Sequence, residues 1–154
     1  MITIRSYQEQ DYQTLTDMFY QTIHTIGLEH YSAHQINAWA PYPINYSEWQ
    51  QKMSKHKPWV AEINGEIAGF MSLDDSGLIH WAFTHQNHQR KGVAGALFEH
   101  IETTAIKKGI NKLRAEASLF AQPFFAKKGF VTLTKNEVNI RGQLLTNFSV
   151  EKVL

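Results

Sequence analysis

Apolar residues along this chain recur in two rhythms. From Gln8 to about Ile26, the residues Tyr12, Leu15, Met18, Phe19, Ile23 and Ile26 fall three or four positions apart, which lines one face of a helix, and Gly27 ends the pattern. Ahead of it, Ile2 to Arg5 alternates as a strand does. Ser32 is an N-cap candidate for a short helix through Trp39, Pro41-Tyr42-Pro43 forces an extended break, and a further helical segment is predicted from about Ser47 to His56. Residues 27 to 57 therefore read as a segment that caps a sheet rather than joining it.

The period-two rhythm dominates the middle of the chain. Trp59 to Ile63 and Ile67 to Leu73 flank an Asn64-Gly65 turn and predict a hairpin, and Leu78 to Phe83 adds a third strand after the Asp74-Asp75-Ser76-Gly77 turn. Next come a helix to about Lys108 with Gly109 at its C-terminus and a strand from Lys112 to Ala117. A helix from Leu119 to Lys128, ended by Gly129, and strands from Phe130 onward around an Arg141-Gly142 turn complete the pattern. This order predicts an α+β fold, one mostly antiparallel sheet with helices on its faces. At 154 residues, without repeats or linkers, the chain is expected to form a single domain, 1–154.

Between the third strand and its helix lies Gln89-Arg90-Lys91-Gly92-Val93-Ala94-Gly95. Small residues at 92, 94 and 95 let several backbone N–H groups turn toward one anion at a helix N-terminus, where the dipole is positive. Arg90 and Lys91 add mobile charge. No Gly-Lys-Ser/Thr closes the loop as in a P-loop, and the glycines are not spaced Gly-x-Gly-x-x-Gly. What fits is a diphosphate held mainly by backbone; the competing reading is a plain turn before a buried helix.

Composition narrows the partners. Fifteen basic and 14 acidic residues, spread along the chain, leave a net charge of +1 and no footprint for nucleic acid. No apolar run approaches the roughly 20 residues of a membrane span. The N-terminus lacks the apolar core of a signal peptide, so a cytoplasmic protein with no membrane partner is expected. Zero cysteines exclude disulfides, thiolate metal sites and a cysteine nucleophile. His30 and His34, and His85 and His88, have ligand-like spacing, but without a carboxylate clustered beside them no metal is expected.

Two segments carry a family resemblance. Gln89, Gly92 and Ala94 match a Gln/Arg-x-x-Gly-x-Gly/Ala loop set between strand and helix, and Phe124-Phe125-Ala126-Lys127-Lys128-Gly129-Phe130 is similar to a Phe-Tyr-x-Lys-x-Gly-Phe segment. On these residues the chain resembles the GNAT superfamily of N-acetyltransferases over nearly its whole length. The resemblance implies a GNAT-like mixed sheet, splayed between the strands near 78–84 and 112–117. It implies acetyl-coenzyme A as acetyl donor, with the pyrophosphate on residues 89–95 and the pantetheine arm along the backbone of Phe83 and Thr84. Ser118 and Phe125 would then lie near the thioester. At Phe125 the chain departs from the pattern, because the family's Tyr protonates the leaving thiolate and a phenyl ring has no proton to give.

Three residues are candidates for the chemistry. His80, on the strand leading to the loop, has an ordinary pKa near 6.5 that suits proton removal around neutrality; the competing reading is a histidine bonded within a polar sheet face. Glu116, on the neighbouring strand, would serve as base if burial raised its pKa, and is otherwise an ion pair with Arg114 or a solvated edge. Ser118 would bond the cofactor arm, act in catalysis, or simply cap the helix from Leu119. Asp74 and Asp75 could hold a cationic substrate, but beside Gly77 they read as turn residues. Trp39, Tyr42, Tyr46, Trp49 and Trp59 read as core or as one wall of an acceptor pocket.

The function expected from these readings is direct transfer of an acetyl group, in a ternary complex, from acetyl-coenzyme A to a primary amine of a small molecule. A non-catalytic acyl-coenzyme A sensor, which Phe125 would suit, and a protein-amine acetyltransferase are the alternatives. A homodimer is compatible with the sequence.

Overall fold

The computed structural model describes residues 1–154. Along the chain run β1 (Ile2–Arg5), α1 (Tyr12–Thr25), α2 (Ala33–Trp39), α3 (Tyr46–His56), β2 (Trp59–Ile63), β3 (Glu66–Met71), β4 (Leu78–Ile79) and β5 (Ala82–Thr84). These are followed by α4 (Val93–Lys107), β6 (Lys112–Ser118), α5 (Gln122–Lys127), β7 (Val131–Ile140) and β8 (Gln143–Val153). Local signals account for most boundaries. Ser32 closes a capping box on α2, its Oγ accepting from the Gln35 N–H at 3.2 Å while Gln35 Oε1 accepts from the Ser32 N–H at 2.8 Å. Asn45 caps α3, which begins at Tyr46. The helix expected from Leu119 starts only at Gln122, because the Ala121 N–H is taken by both the carbonyl and the hydroxyl of Ser118 in a tight turn.

The strands form two four-stranded sheets, ordered β1-β2-β3-β5 and β4-β6-β8-β7. The first is antiparallel throughout, and the second contains one parallel pair, β4 with β6. Alternation along β2 and β3 buries the first sheet on both sides. Val60 and Phe70 pack with Leu15, Met18, Ile23 and Met53 of α1 and α3, while Ala61, Ala68 and Met71 pack with Val93, Leu97 and Ile101 of α4. In β6 only Leu113, Ala115 and Ala117 are buried, so the opposite face of the second sheet, carrying Arg114 and Glu116, stays polar and open.

The strand expected from Leu78 to Phe83 is broken at His80-Trp81, and this break organises the molecule. Leu78 and Ile79 pair with Arg114 and Ala115, whereas Ala82 to Thr84 pair with Met71 to Gly69. Ser72, buried in the core, holds the discontinuity: its Oγ accepts the N–H groups of both His80, at 3.1 Å, and Trp81, at 3.0 Å. Two glycines permit the close approaches on either side. A Cβ on Gly77 would lie 2.1 Å from the Lys112 carbonyl, and one on Gly69 would lie 2.8 Å from the Phe83 carbonyl. No helix is long and apolar enough to cross a membrane.

Candidate active site

Beyond Ala115 the inner edge of β6 has no strand beside it, and β5 leans away with the first sheet, so a V-shaped splay opens between Ala82–Thr84 and Glu116–Ser118. Phe83 pairs with Phe70, and the His85 N–H reaches the Ala68 carbonyl at 2.8 Å. By the two-residue alternation of an antiparallel ladder, the backbone of Phe83 is therefore committed to β3, and that of Ala82 and Thr84 faces the splay. This corrects the expectation for Phe83: its ring, not its backbone, lines the site. The Thr84 carbonyl is taken by Gln89 Nε2 at 2.8 Å, which ties the next loop to the strand.

Residues 89–95 form an open cradle. Gly92 caps α4 with φ of 83°, Arg90 also has positive φ, and the N–H groups of Arg90 through Gly95 donate to no acceptor in the chain. A Cβ placed on Gly92 would meet nothing closer than Ile2 Cδ1 at 3.9 Å, so the concave side is clear. Lys128 brings its ammonium beside Gly95 at the same helix start. Lys91 is partly fixed from beneath, its Nζ 3.4 Å from Nδ1 of His88, whose Nε2 meets Glu66 at 3.3 Å. Those donors and cations suit a diphosphate.

On the other side of the splay lies a cavity of about 400 Å³. Aromatic rings from α1, α2, α3 and β5 wall it: Phe19 stands 4.4 Å from Trp49, Trp49 5.8 Å from Trp81, and Tyr31 5.7 Å from Trp39, measured between ring centres. The β7–β8 hairpin supplies Val138, Ile140, Leu145 and Asn147. Tyr31 pins the junction, its hydroxyl donating to the Thr146 carbonyl at 2.6 Å and accepting from the Leu119 N–H at 2.9 Å, and burial pushes its pKa up. Tyr46 donates to Asp17, which together with burial raises its pKa to about 12.

His80, Glu116 and Ser118 all reach both the splay and this cavity. Nε2 of His80 lies 3.1 Å from Asp74 Oδ2, so a residue read as a turn former also orients the imidazole. Burial works to raise the pKa of Asp74, but hydrogen bonds from Ser76, Leu78 and His80 outweigh it and hold the carboxyl at about 2. The His56 ring lies 4.4 Å from that of His80, tilted by 45°, and burial followed by repulsion from His80 lowers its pKa. Glu116 is exposed, not buried, and it does not pair with Arg114, which bonds Ser76 instead. Its Oε2 accepts from Ser149 Oγ at 2.7 Å and Asn136 Nδ2 at 3.3 Å. The Oγ of Ser118 accepts the Ala121 N–H at 3.1 Å in the turn before α5, not as its cap, while its own proton remains uncommitted. Phe125 is buried against Phe130, ring centres 4.9 Å apart, at the floor of the splay.

Comparison with known proteins accounts for this arrangement. The description of the acetyltransferase (GNAT) domain family matches residues 27–152. The chain belongs to the GNAT acetyltransferase family. An uncharacterized N-acetyltransferase of Escherichia coli K12, YafP, is 37% identical over 147 residues, covering 96% of this chain and 93% of the relative. Among solved GNAT structures, a GCN5-related N-acetyltransferase of Rhodopseudomonas palustris superposes with a TM-score of 0.93 at 28% identity, covering 99% of this chain and 95% of that one. The fold is shared with PaiA N-acetyltransferase of Thermoplasma acidophilum, in complex with coenzyme A, at a TM-score of 0.78 and 18% identity over 100% of this chain and 99% of that one.

Sequence reasoning missed several residues of this candidate site. Ser72 is a lone polar residue at the end of an apolar strand, and that polarity was its only signal. Asp74 was read as a turn residue or a holder of a cationic substrate, not as the partner of His80. Asn136, Ser149 and Arg141 are brought to the site by strand register, which no local pattern encodes.

Proposed function

We propose that this GNAT enzyme transfers the acetyl group of acetyl-coenzyme A directly to a primary amine of a small molecule seated in the aromatic cavity. The observation that carries the reading is the sharing of His80, Trp81, Phe83, Glu116 and Ser118 between the splay and the cavity. A donor arm lying along Ala82 and Thr84 would hydrogen-bond as an added strand, with its diphosphate in the 89–95 cradle and its thioester at the boundary with the acceptor. The amine nitrogen then attacks the thioester carbonyl carbon, a C–N bond forms, the C–S bond breaks and the thiolate departs. His80 accepts the amine's proton at Nδ1, because Asp74 holds the proton on Nε2. Glu116 attracts the ammonium before it is deprotonated. Ser118 directs its free O–H at the acyl oxygen. With Phe125 unable to donate, water protonates the departing thiolate.

The test is free-thiol release from acetyl-coenzyme A against amines, polyamines, amino acids, aminoglycosides and short peptides. A chain with zero cysteines adds no thiol background. Release that depends on one acceptor class, and that falls by roughly a hundredfold or more in His80→Ala, is the expected result. Silence across the panel with intact coenzyme A binding would favour a sensor instead, the role that the buried Phe125 suits.

A further inference from the structure

Five ionisable side chains line the cavity: Glu48, Lys52, His80, Glu116 and Arg141. Three of them have charged partners, since Glu48 pairs with Lys52 at 3.2 Å and His80 pairs with Asp74 at 3.1 Å. The two that remain carry opposite charge and stand at opposite ends. Glu116, beside the splay, is held only by the neutral donors of Ser149 and Asn136. Arg141, in the β7–β8 turn, donates to the Ala38 carbonyl at 2.7 Å and meets no carboxylate. The rest of its guanidinium fork is uncommitted, and such a fork matches a carboxylate in shape and charge.

Their separation limits what would satisfy both. Ser149 lies opposite Glu116 and Gln143 opposite Ile140. The span from Ser149 to Gln143 is roughly 20 Å at about 3.3 Å per strand residue. Arg141 shortens it by folding back to α2. That span favours a ligand longer than an α-amino acid, and the hairpin between the two charges is walled by Val138, Ile140 and Leu145.

We propose that the acceptor is an elongated amine carrying a carboxylate at the far end of an apolar body, with its ammonium toward Glu116 and its carboxylate on Arg141. The inference rests on the acetyl-transfer reading above and names the substrate class of that site. A ligand of this kind neutralises both leftover charges as it displaces water from them, which a purely cationic or neutral amine cannot do.

Two matched pairs test it by thiol release: an aromatic dipeptide against its C-terminal amide, and an ω-aminoalkylbenzoate against its benzamide. Wild-type kcat/KM should favour the acid over its amide by about tenfold or more, with the difference in KM. Arg141→Gln keeps a donor for the Ala38 carbonyl but removes the charge, and should bring that ratio near one; Arg141→Lys should keep part of it. A structural fault in the hairpin would lower acid and amide alike and leave the ratio standing, which would overturn the inference. So would a wild-type ratio near one, and either result would leave the transfer reading intact. Failure of every amine in the pairs and the wider panel to release thiol would instead remove the transfer reading and this inference with it.

Discussion

Residues 89–95 leave the backbone N–H groups of one short stretch without acceptors, whereas the cavity across the splay is walled by side chains from α1, α2, α3, β5, β6 and the β7–β8 hairpin. The first surface depends on a left-handed glycine and a helix start, features that a heptapeptide contains whole. The second exists only once six elements have docked. A donor common to a family can be held by the first kind of surface, and acceptor choice can vary through the second without disturbing it.

The sharpest way to break this contrast is Gly92→Glu. It adds left-handed strain and places a negative charge in the cradle, so coenzyme A affinity should fall by roughly a hundredfold or more while the acceptor wall is untouched. Isothermal titration reads the change, and unaltered affinity would sink the loop assignment.

Ser72→Ala should damage both halves at once. Two N–H groups lose their acceptor in the core, at a cost of roughly 1–3 kcal/mol in urea unfolding, and His80 loses its anchor, so turnover falls as well. Full stability with full activity would mean that the strand break does not depend on this hydroxyl.

Trp49→Leu sharpens the contrast from the acceptor side. Removing the ring beside Phe19 and Trp81 should raise acceptor KM by about tenfold, with coenzyme A affinity within error of wild type. An equal loss in both affinities would show that the two halves are not separable.

The smallest effect concerns acid stability. Asp74 is held at about 2 in the folded chain against an ordinary 3.8, so its contribution is fully present above 3.8 and is lost as pH falls toward 2. Asp74→Asn should flatten the unfolding profile between those values in urea melts taken at stepped pH. A profile parallel to wild type would contradict the pairing.

Legibility in the sequence follows the same division. The hairpin at Asn64-Gly65, the cap at Ser32 and the helix start at Gly92 are local, and each lies where its residues predict. The break at His80-Trp81 was read as continuous strand because its cause, Ser72, acts across a turn through its side chain rather than through any rhythm of its own. Phe83 was given a backbone role because the sequence cannot say which edge of a strand faces a neighbour. Glu116 was expected to gain base character by burial or to pair with Arg114. Its actual partners sit at Asn136 and Ser149, 20 and 33 residues away in the chain.

Amide hydrogen exchange on coenzyme A binding would locate the donor on the molecule. Exchange should slow at Ala82, Thr84 and Arg90 through Gly95, with Tyr46–His56 and the Arg141-Gly142 turn unchanged until an acceptor is added. Protection absent from Ala82 and Thr84, or centred instead on α3 and the hairpin, would contradict the placement of the donor in the splay.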